Sequence, residues 1–295
     1  MEARIWGCRG SLATPGRETL RYGGNTSCVE VRLDDGTVLV LDAGTGIRVL
    51  GQKLARERPK VVHLLLTHLH LDHLEGLPFF APLRSTETEL YVWGPPSPVR
   101  GLRQRIARYV SPPLFPLDIS DLASAISFSD VPDEEWEIGD ARIAAQHVVH
   151  MGPTIGYRIE EDGASLTYIP DHEPALGGLL DSRSPDWISG FELAHRTDVL
   201  LHDAQYTEQE YEERVGWGHS SMPDALAFAR IVEAGRLVLF HHDPLHADDQ
   251  LERMLEHALI AQGGGNVPVL AREGMEIAVT AATPRDGLPT RQRLP

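Results

Sequence analysis

Apolar positions along the chain follow two periods, one typical of buried strands and one typical of amphipathic helices. Short runs rich in β-branched and large apolar residues predict strands, and apolar residues that recur every three or four positions predict helices. The predicted strands cover residues 3–6, 28–33, 37–41, 61–67, 90–93, 141–149, 154–159, 165–169, 199–202 and 236–240. The predicted helices cover residues 47–57, 99–109, 207–214, 222–233 and 248–261.

The order of these elements predicts an α/β fold. Strands that come in clusters and are interrupted by helices indicate two sheets packed face to face, with helices on the outside. Pro223 fits the first turn of the helix at 222–233, whose cap is then one of the preceding serines. No linker divides the chain, so we expect one domain over residues 1–280, followed by a loose, proline-rich tail over residues 281–295.

Residues 111–140 interrupt the regular pattern. They are richer in proline and acidic residues than their surroundings, and we interpret them as an excursion from the sheets. A lid over the site is one role for this segment. Its apolar start, Pro112-Pro113-Leu114-Phe115-Pro116, is stiffened by prolines and either caps a pocket or packs on the core.

Composition narrows the function classes. The chain of 295 residues carries 27 Lys and Arg against 43 Asp and Glu, a formal net charge of −16. Such a charge repels polyanions, which argues against non-specific binding to duplex nucleic acid or an anionic membrane. The two cysteines, Cys8 and Cys28, make a disulfide framework improbable. With no signal peptide visible and apolar runs too short to span a bilayer, we expect a cytoplasmic protein.

The strongest chemical signal follows the apolar run at 61–66. Thr67 is followed by three histidines and one aspartate within six residues, namely His68, His70, Asp72 and His73. Neutral imidazoles and a carboxylate are ligands that zinc, manganese and iron accept. Burying these groups at a strand end without a cation is costly. The segment therefore predicts a metal site.

The motif HLHLDH resembles the HxHxDH motif of the metallo-β-lactamase superfamily. Further landmarks of that superfamily occur in order: Asp42-Ala43-Gly44-Thr45-Gly46, His150 followed six residues later by Gly156-Tyr157-Arg158, Asp171, and His241. The resemblance runs from about residue 5 to about residue 251. It implies a four-layer αββα sandwich of two mixed sheets with outer helices, and a soluble metal-dependent hydrolase.

The resemblance also implies how two divalent metal ions are held. His68, His70 and His150 would bind the first ion, Asp72, His73 and His241 the second, and Asp171 would bridge them. Zinc is the first expectation for both ions, with manganese or iron as alternatives. Two neighbouring cations lower the pKa of a bridging water and clamp both oxygens of a displacement, and Asp72 would also orient that water. His147 is an alternative to His150, although the spacing to Gly156 favours His150.

A later pair of motifs resembles the ribonuclease Z-like branch. Leu201-His202-Asp203-Ala204 and Gly218-His219-Ser220-Ser221 are similar to its HEAT and GHST motifs. The resemblance implies that His219 contacts the scissile phosphate and protonates the leaving oxygen, with Asp203 as its partner. Asp203 stands where that family usually has glutamate, a longer arm. A helix-capping turn at Ser220 or Ser221 is the structural alternative.

The expected substrate is a small phosphodiester. The tRNA-gripping arm of ribonuclease Z is a basic insertion after the bridging aspartate, whereas residues 173–196 here are few and carry no basic excess, so tRNA is disfavoured. The opening segments at 6–11 and 21–28 resemble hydrolases likened to phosphoribosyl cyclic phosphate phosphodiesterases. Within them, Arg9 and Asn25 are candidates for contact with an anionic substrate, or they belong to simple turns.

Three functions therefore remain in competition. The first is a dinuclear phosphodiesterase of small or cyclic nucleotide-like phosphodiesters, which uses metal-activated water. The second is a lactone, thioester or carboxylic ester hydrolase on the same fold. The third is a metal-binding protein without turnover. A homodimer is an open possibility for the assembly, and no membrane partner is expected.

Overall fold

The apolar runs form two seven-stranded sheets in the residues that the computed structural model describes, which are 1–122, 125–262 and 267–281. The first sheet contains β1 (Glu2–Gly7), β2 (Cys28–Arg32), β3 (Val38–Leu41), β4 (Val61–Leu65), β5 (Glu89–Gly94), β6 (Ile126–Asp130) and β14 (Glu276–Ala278). The second contains β7 (Trp136–Ile138), β8 (Ala141–His147), β9 (Ile155–Glu161), β10 (Ala164–Ile169), β11 (Val199–Asp203), β12 (Arg236–Phe240) and β13 (Val269–Leu270).

Both sheets are mixed. The first has the order β14-β1-β2-β3-β4-β5-β6, with antiparallel neighbours up to β3 and parallel neighbours from β3 to β6. The second has the order β13-β12-β11-β10-β9-β8-β7, parallel from β13 to β10 and antiparallel beyond. Because β14 pairs with β1, the chain returns to the sheet in which it began, and we infer that residues 1–280 form one domain.

Alternation along a strand places side chains in two separate cores. In β3, Leu39 and Leu41 lie in the core between the sheets, whereas Val38 and Val40 lie in the core under the helices of the first sheet. Successive side chains of a strand point to opposite faces, and both faces of this sheet are covered, so the strand is apolar throughout.

Helices cover the outer face of each sheet. They are α1 (Ile47–Glu57), α2 (Leu102–Ala107), α3 (Phe191–Ala194), α4 (Glu208–Glu212), α5 (Met222–Ile231) and α6 (Asp248–Gln262). Ile47, Leu50 and Leu54 of α1 recur at helical spacing and pack into the core of the first sheet. Residues of α3, α5 and α6 pack into the outer core of the second sheet. The expected four-layer αββα sandwich is thus confirmed.

The cap expected for α5 is also confirmed. The Ser221 hydroxyl accepts a hydrogen bond from the Asp224 amide at 3.1 Å, and Pro223 lies in the first turn. Proline is tolerated there because its missing N–H has no helical partner in any case. Ser221 therefore fixes the start of the helix that directly follows the segment around His219.

The interpretation of residues 111–140 as an excursion was wrong for its second half. Two strands lie in it, β6 at the edge of the first sheet and β7 at the edge of the second. The hydrophobic pattern that predicts a strand is weak in both, because β6 is mostly solvent-exposed and β7 has only three residues. Two short C-terminal strands, β13 and β14, were missed for a similar reason. Apart from Ala281, the predicted tail at 281–295 lies outside the described residues.

The carboxyl ends of several strands point to one edge of the sandwich. The polar segments after β3, β4, β8, β10, β11 and β12 all begin there. Ligands of open α/β sheets bind at such an edge, and the polar residues predicted from the sequence lie on these segments. None of the helices in the described part of the chain has the length and apolar character needed to cross a bilayer.

Candidate metal centre

The HLHLDH segment turns sharply after β4 and presents its side chains in two directions. His68 and His70 are extended along the chain, and a 3-10 turn over Leu71–His73 then carries Asp72 and His73 to the other side. His68, Asp72 and His73 are buried. Four potential ligands from one short loop therefore reach two neighbouring positions.

The first cluster consists of His68, His70 and His150. Nε2 of His150 lies 3.2 Å from Nδ1 of His70. Nε2 of His68 and Nε2 of His150 lie 3.7 and 3.6 Å from the same oxygen, Oδ2 of Asp171. His147, the alternative to His150, is exposed at the end of β8 and contacts the Thr154 carbonyl instead. The structure thus brings His150, and not His147, into the cluster.

The second cluster consists of Asp72, His73, His241 and Asp171. Oδ2 of Asp72 lies 3.3 Å from Nε2 of His73 and 3.2 Å from Nε2 of His241. Oδ1 of Asp171 lies 3.0 and 3.3 Å from the same two nitrogens. The two oxygens of Asp171 therefore face different clusters, which is the arrangement of a bridging carboxylate.

The hydrogen bonds around the clusters assign the ring protons. Nδ1 of His73 donates to Asp42 at 2.8 Å, and Nδ1 of His241 donates to Oε1 of Gln205 at 2.9 Å. When these rings are neutral, as metal ligands must be, each presents an unprotonated Nε2, and these two nitrogens lie 3.3 Å apart. In the first cluster, Nδ1 of His150 donates to the Gly218 carbonyl at 2.7 Å, which leaves its Nε2 unprotonated as well.

These atoms fit divalent cations. Lone pairs and carboxylate oxygens that converge in a buried space repel one another unless a positive charge lies between them. Nε2 of His68 and Oδ1 of Asp171 are buried, and neither has a hydrogen-bond partner among the described residues. A cation would satisfy both atoms, and the set of imidazoles and carboxylates is one that zinc, manganese and iron accept.

Burial and neighbouring groups shift the pKa values of these side chains in different directions. Burial lowers the pKa of His68 well below its ordinary value, so the ring stays neutral and able to bind a metal. Burial alone would raise the pKa of Asp171. The neighbouring imidazoles of His241 and His73 outweigh this effect and hold the pKa of the Asp171 carboxyl well below its usual range. Asp171 is therefore an ionised carboxylate.

Asp42 orients His73 through a hydrogen bond, a role that the sequence did not suggest. Its carboxylate accepts hydrogen bonds from the Thr67 amide at 2.7 Å, the Thr67 hydroxyl, the Tyr168 hydroxyl at 3.0 Å and Nδ1 of His73. Such partners fix the orientation and tautomer of a ligand histidine. The one feature of the sequence that could have indicated this role is the position of Asp42 directly after the buried strand β3.

We expect Asp42→Asn to lower metal affinity by about 10- to 100-fold, the usual effect of losing a partner that orients a ligand. An amide nitrogen at this position would meet donors from Thr67 and Tyr168, so at least one buried donor would lose its acceptor. Metal titration with a competing chelator measures the change. Tyr168→Phe, which removes one donor and leaves the carboxylate, is the matched control and should have the smaller effect.

Other supporting groups come from loops distant in sequence. Gln205 accepts from His241 and points its amide nitrogen toward Asp243, 3.3 Å away. The Ser11 amide donates to Oδ2 of Asp72 at 2.7 Å. The sequence assigned neither Gln205 nor Ser11 a role of its own, because these contacts form only when the two sheets are packed.

Glu173 holds the loop that carries His219. This buried carboxylate accepts from the amides of Gly216 at 2.9 Å and Gly218 at 2.8 Å, and from the Tyr211 hydroxyl at 2.9 Å. The Gly218 carbonyl in turn accepts from His150. One carboxylate thus connects the first cluster to the segment around His219.

His219 and Asp203 lie beside both clusters. Nδ1 of His219 lies 2.7 Å from Oδ2 of Asp203 and 4.0 Å from Oδ2 of Asp171. Burial alone would lower the pKa of His219, but the Asp203 carboxylate raises it to about 8. Asp203 also accepts from the amides of His172 and Gln205, each at 3.0 Å. The shorter aspartate therefore reaches the histidine without a glutamate arm.

Arg9 and Asn25 do not face the centre. The Arg9 side chain is fully buried, and its guanidinium donates to the carbonyls of Gly23, Asp243 and His246 at 2.9, 3.1 and 2.6 Å. The Asn25 amide donates to Glu273 at 3.0 Å. Both side chains join loops to one another, so the prediction that they contact substrate was wrong.

Two glycines explain how loops approach the ligands so closely. A Cβ on Gly10 would lie 2.4 Å from Nδ1 of His241, and a Cβ on Gly218 would lie 2.5 Å from Nδ1 of His150. Gly218 also has a positive φ of 86°, which favours glycine. The glycine-rich opening segment therefore packs directly against His241.

The αββα sandwich and the double His and Asp cluster at its edge define the metallo-β-lactamase class of metal-dependent hydrolases. A family model described as "Beta-lactamase superfamily domain" matches residues 37–242, and the chain belongs to this family. It is 31% identical over 271 residues to a ribonuclease Z of Methanopyrus kandleri, which covers 83% of this chain and 88% of that protein. The resemblance inferred from the motifs is confirmed.

Solved structures show the same fold. A diphosphatase from the PhnP family aligns with a TM-score of 0.66 and 17% identity over 95% of this chain and 98% of its own. Zinc-bound PqqB from Methylobacterium extorquens aligns with a TM-score of 0.67 and 20% identity over 94% of this chain and 100% of its own. The protein is accordingly a metal-dependent hydrolase of this fold, in a family that uses divalent metal ions.

Proposed function

We propose that this protein is a dinuclear phosphodiesterase that hydrolyses small or cyclic nucleotide-like phosphodiesters. The observation that carries the proposal is the 2.7 Å pair of His219 and Asp203 beside the two ligand clusters. Breaking a phosphodiester releases an alkoxide, which needs a proton donor, whereas the clusters alone contain only ligands. The ribonuclease Z relative and the diphosphatase fold neighbour support phosphate-ester chemistry.

The metal ligands follow from the two clusters. His68, His70 and His150 would hold one ion, Asp72, His73 and His241 the other, and Asp171 would bind both. We propose zinc, in keeping with the imidazole-rich ligand set and the zinc-bound fold neighbour. Two such ions, when bound, supply an activated water at neutral pH and offset the negative charge of the phosphate.

The remaining roles belong to the chain itself. Asp203 would hold Nδ1 of His219, which leaves Nε2 available to a substrate oxygen, because that atom has no hydrogen-bond partner among the described residues. His219 would then contact the phosphate and donate a proton to the leaving oxygen. Asp72, fixed by the Ser11 amide, would orient the attacking water. Both proposed roles depend on a side chain that a second group holds in position: Asp203 holds His219, and the Ser11 amide holds Asp72.

The proposal is tested by His219→Ala with two kinds of substrate. We expect cleavage of a 2′,3′-cyclic nucleotide, which releases an alkoxide, to fall by about 10²- to 10⁴-fold, the usual contribution of a general acid. Cleavage of bis(p-nitrophenyl) phosphate should fall less, because a nitrophenolate leaves without much help. Steady-state kinetics of the zinc-loaded enzyme measure both rates, and the exposed His257→Ala serves as the control.

A lactone assay on the same variant separates the esterase alternative. A lactone or thioester hydrolase would turn over those substrates in preference to phosphodiesters and would tolerate His219→Ala. Wild-type enzyme that cleaves lactones but no phosphodiester would contradict the proposal. Metal analysis with fewer than about one equivalent per chain, together with no turnover of any ester, would favour the non-catalytic alternative.

Transfer RNA processing is the second candidate, favoured by the identity to the Methanopyrus kandleri ribonuclease Z. Two features weigh against it, the net charge of −16 and the absence of a basic excess in residues 173–196. Each lost phosphate contact weakens RNA binding, and a polyanion is repelled by an acidic surface. Cleavage of a tRNA precursor at a rate above that of the cyclic nucleotide would make it the preferred function.

A further inference from the structure

A cavity of about 420 Å³ lies beside the first ligand cluster, with His68 and His70 in its wall. This volume falls within the range of roughly 300–1,000 Å³ typical of small-molecule sites. It is enough for one nucleotide-sized group rather than for a folded RNA. Because the reacting phosphate would lie at the clusters, this space is open to a part of the substrate that does not react.

One side of the cavity is apolar and exposed. Leu71, Leu114 and Met151 line it with exposed fractions of 60%, 69% and 59%. They come from three different segments, two of them within the ligand loops. Large apolar side chains that converge at this exposure beside a polar centre indicate contact with an uncharged body such as a sugar or base.

Two arginines line the cavity, and they differ in their surroundings. Arg105 is mostly buried, and its guanidinium donates to the Asp130 carboxylate at 3.1 Å and to the Pro95 carbonyl. The Arg108 side chain is exposed, and none of the described residues forms an ion pair with it. In a chain with a net charge of −16, an unpaired guanidinium at this position is available to an anion of the substrate.

The backbone that carries Arg108 is held in place. Ile106 and Val110 on either side are fully buried in the outer core of the first sheet. The Tyr109 hydroxyl donates to the Glu75 carbonyl at 3.0 Å, in the chain that directly follows the HLHLDH loop. The backbone at Arg108 is therefore already ordered at the cavity wall, and only the side chain loses freedom when it binds a ligand.

We propose that this cavity binds the non-reacting arm of the substrate, and that Arg108 recognises a second phosphate group on that arm. The inference rests on the proposed function, because it names the substrate class of that same centre. A guanidinium suits a phosphate because its parallel N–H groups match two phosphate oxygens. The favoured substrate is then a small phosphodiester with an uncharged body and a terminal phosphate.

The test compares three substrates of the full-length, zinc-loaded enzyme. These are dithymidylate without a terminal phosphate, with a 5′-terminal phosphate and with a 3′-terminal phosphate. We expect one of the phosphorylated forms to have a kcat/KM roughly tenfold above that of the unphosphorylated form, as one exposed charged hydrogen-bonding contact provides. Arg108→Ala should abolish this preference through KM, and Arg108→Lys should keep part of it.

Arg103→Ala is the matched control, because Arg103 is exposed on α2, the helix that ends directly before Arg108, and does not line the cavity. Its substrate preference should equal that of the wild type. The inference is overturned if the wild type cleaves all three substrates without preference, or if the preference survives in Arg108→Ala. Failure of the wild type to cleave any phosphodiester, including bis(p-nitrophenyl) phosphate, overturns the proposed function and this subsite together.

Discussion

Asp171→Ala is expected to reduce phosphodiester turnover by on the order of 10³-fold or more. Its two oxygens face the two clusters, at 3.0 Å from Nε2 of His73 and at 3.6 Å from Nε2 of His150. Removing this carboxylate takes a shared ligand from both proposed ions at once. Metal ions provide several kcal/mol of stabilisation to such transition states, and about 1.4 kcal/mol corresponds to a factor of ten in rate.

Steady-state kinetics with excess zinc measure this effect, and metal analysis of the same sample shows how many ions remain. Asp133→Ala, which removes an exposed carboxylate, is the control and should keep full activity. His68→Ala should behave like Asp171→Ala in turnover but lose metal chiefly from the first cluster. A rate within about threefold of the wild type in Asp171→Ala would refute the assignment of this centre.

Metal removal is expected to abolish activity and to lower the melting temperature by roughly 10 °C. An ion present at about 1,000 times its dissociation constant adds about 4 kcal/mol to the stability of the state that binds it. For a chain of this size about 1 kcal/mol corresponds to roughly 2–4 °C. Without cations, Nε2 of His73 and Nε2 of His241 lie 3.3 Å apart beside two carboxylates, with no metal ion to hold these groups together.

Thermal unfolding before and after dialysis against a chelator measures the shift, and added zinc should restore both the melting temperature and the activity. In Asp171→Ala the shift should be smaller, because less metal is bound before chelation. An unchanged melting temperature in wild-type protein that had carried two metal equivalents would contradict the stabilising role of the ions.

Much of the fold was determined by local sequence patterns. All ten predicted strands are present, because each is a short run rich in apolar residues that is buried on at least one face. The strands that were missed lie at sheet edges or near the C-terminus and have two to five residues. Their stability comes from pairing with a neighbouring strand, which a single segment does not reveal.

The ligand candidates were likewise visible in the sequence, because they occur in order in motifs that resemble those of the metallo-β-lactamase superfamily. His68, His70, Asp72 and His73 lie in one loop, and His150, Asp171 and His241 each follow a strand. The structure brings all seven together, with no member of the set left outside.

Only the tertiary structure decided what surrounds those ligands. Arg9 and Asn25 resembled substrate contacts in the sequence, yet packing turned their donors toward carbonyls and Glu273. Asp42 belonged to a family landmark but had no assigned role, and Gln205 and Arg108 belonged to no motif. All three acquired their contacts when the two sheets and their loops came together. A side chain's identity fixes which groups it can bind. Which group it meets depends on segments up to hundreds of residues away, and no local pattern encodes that.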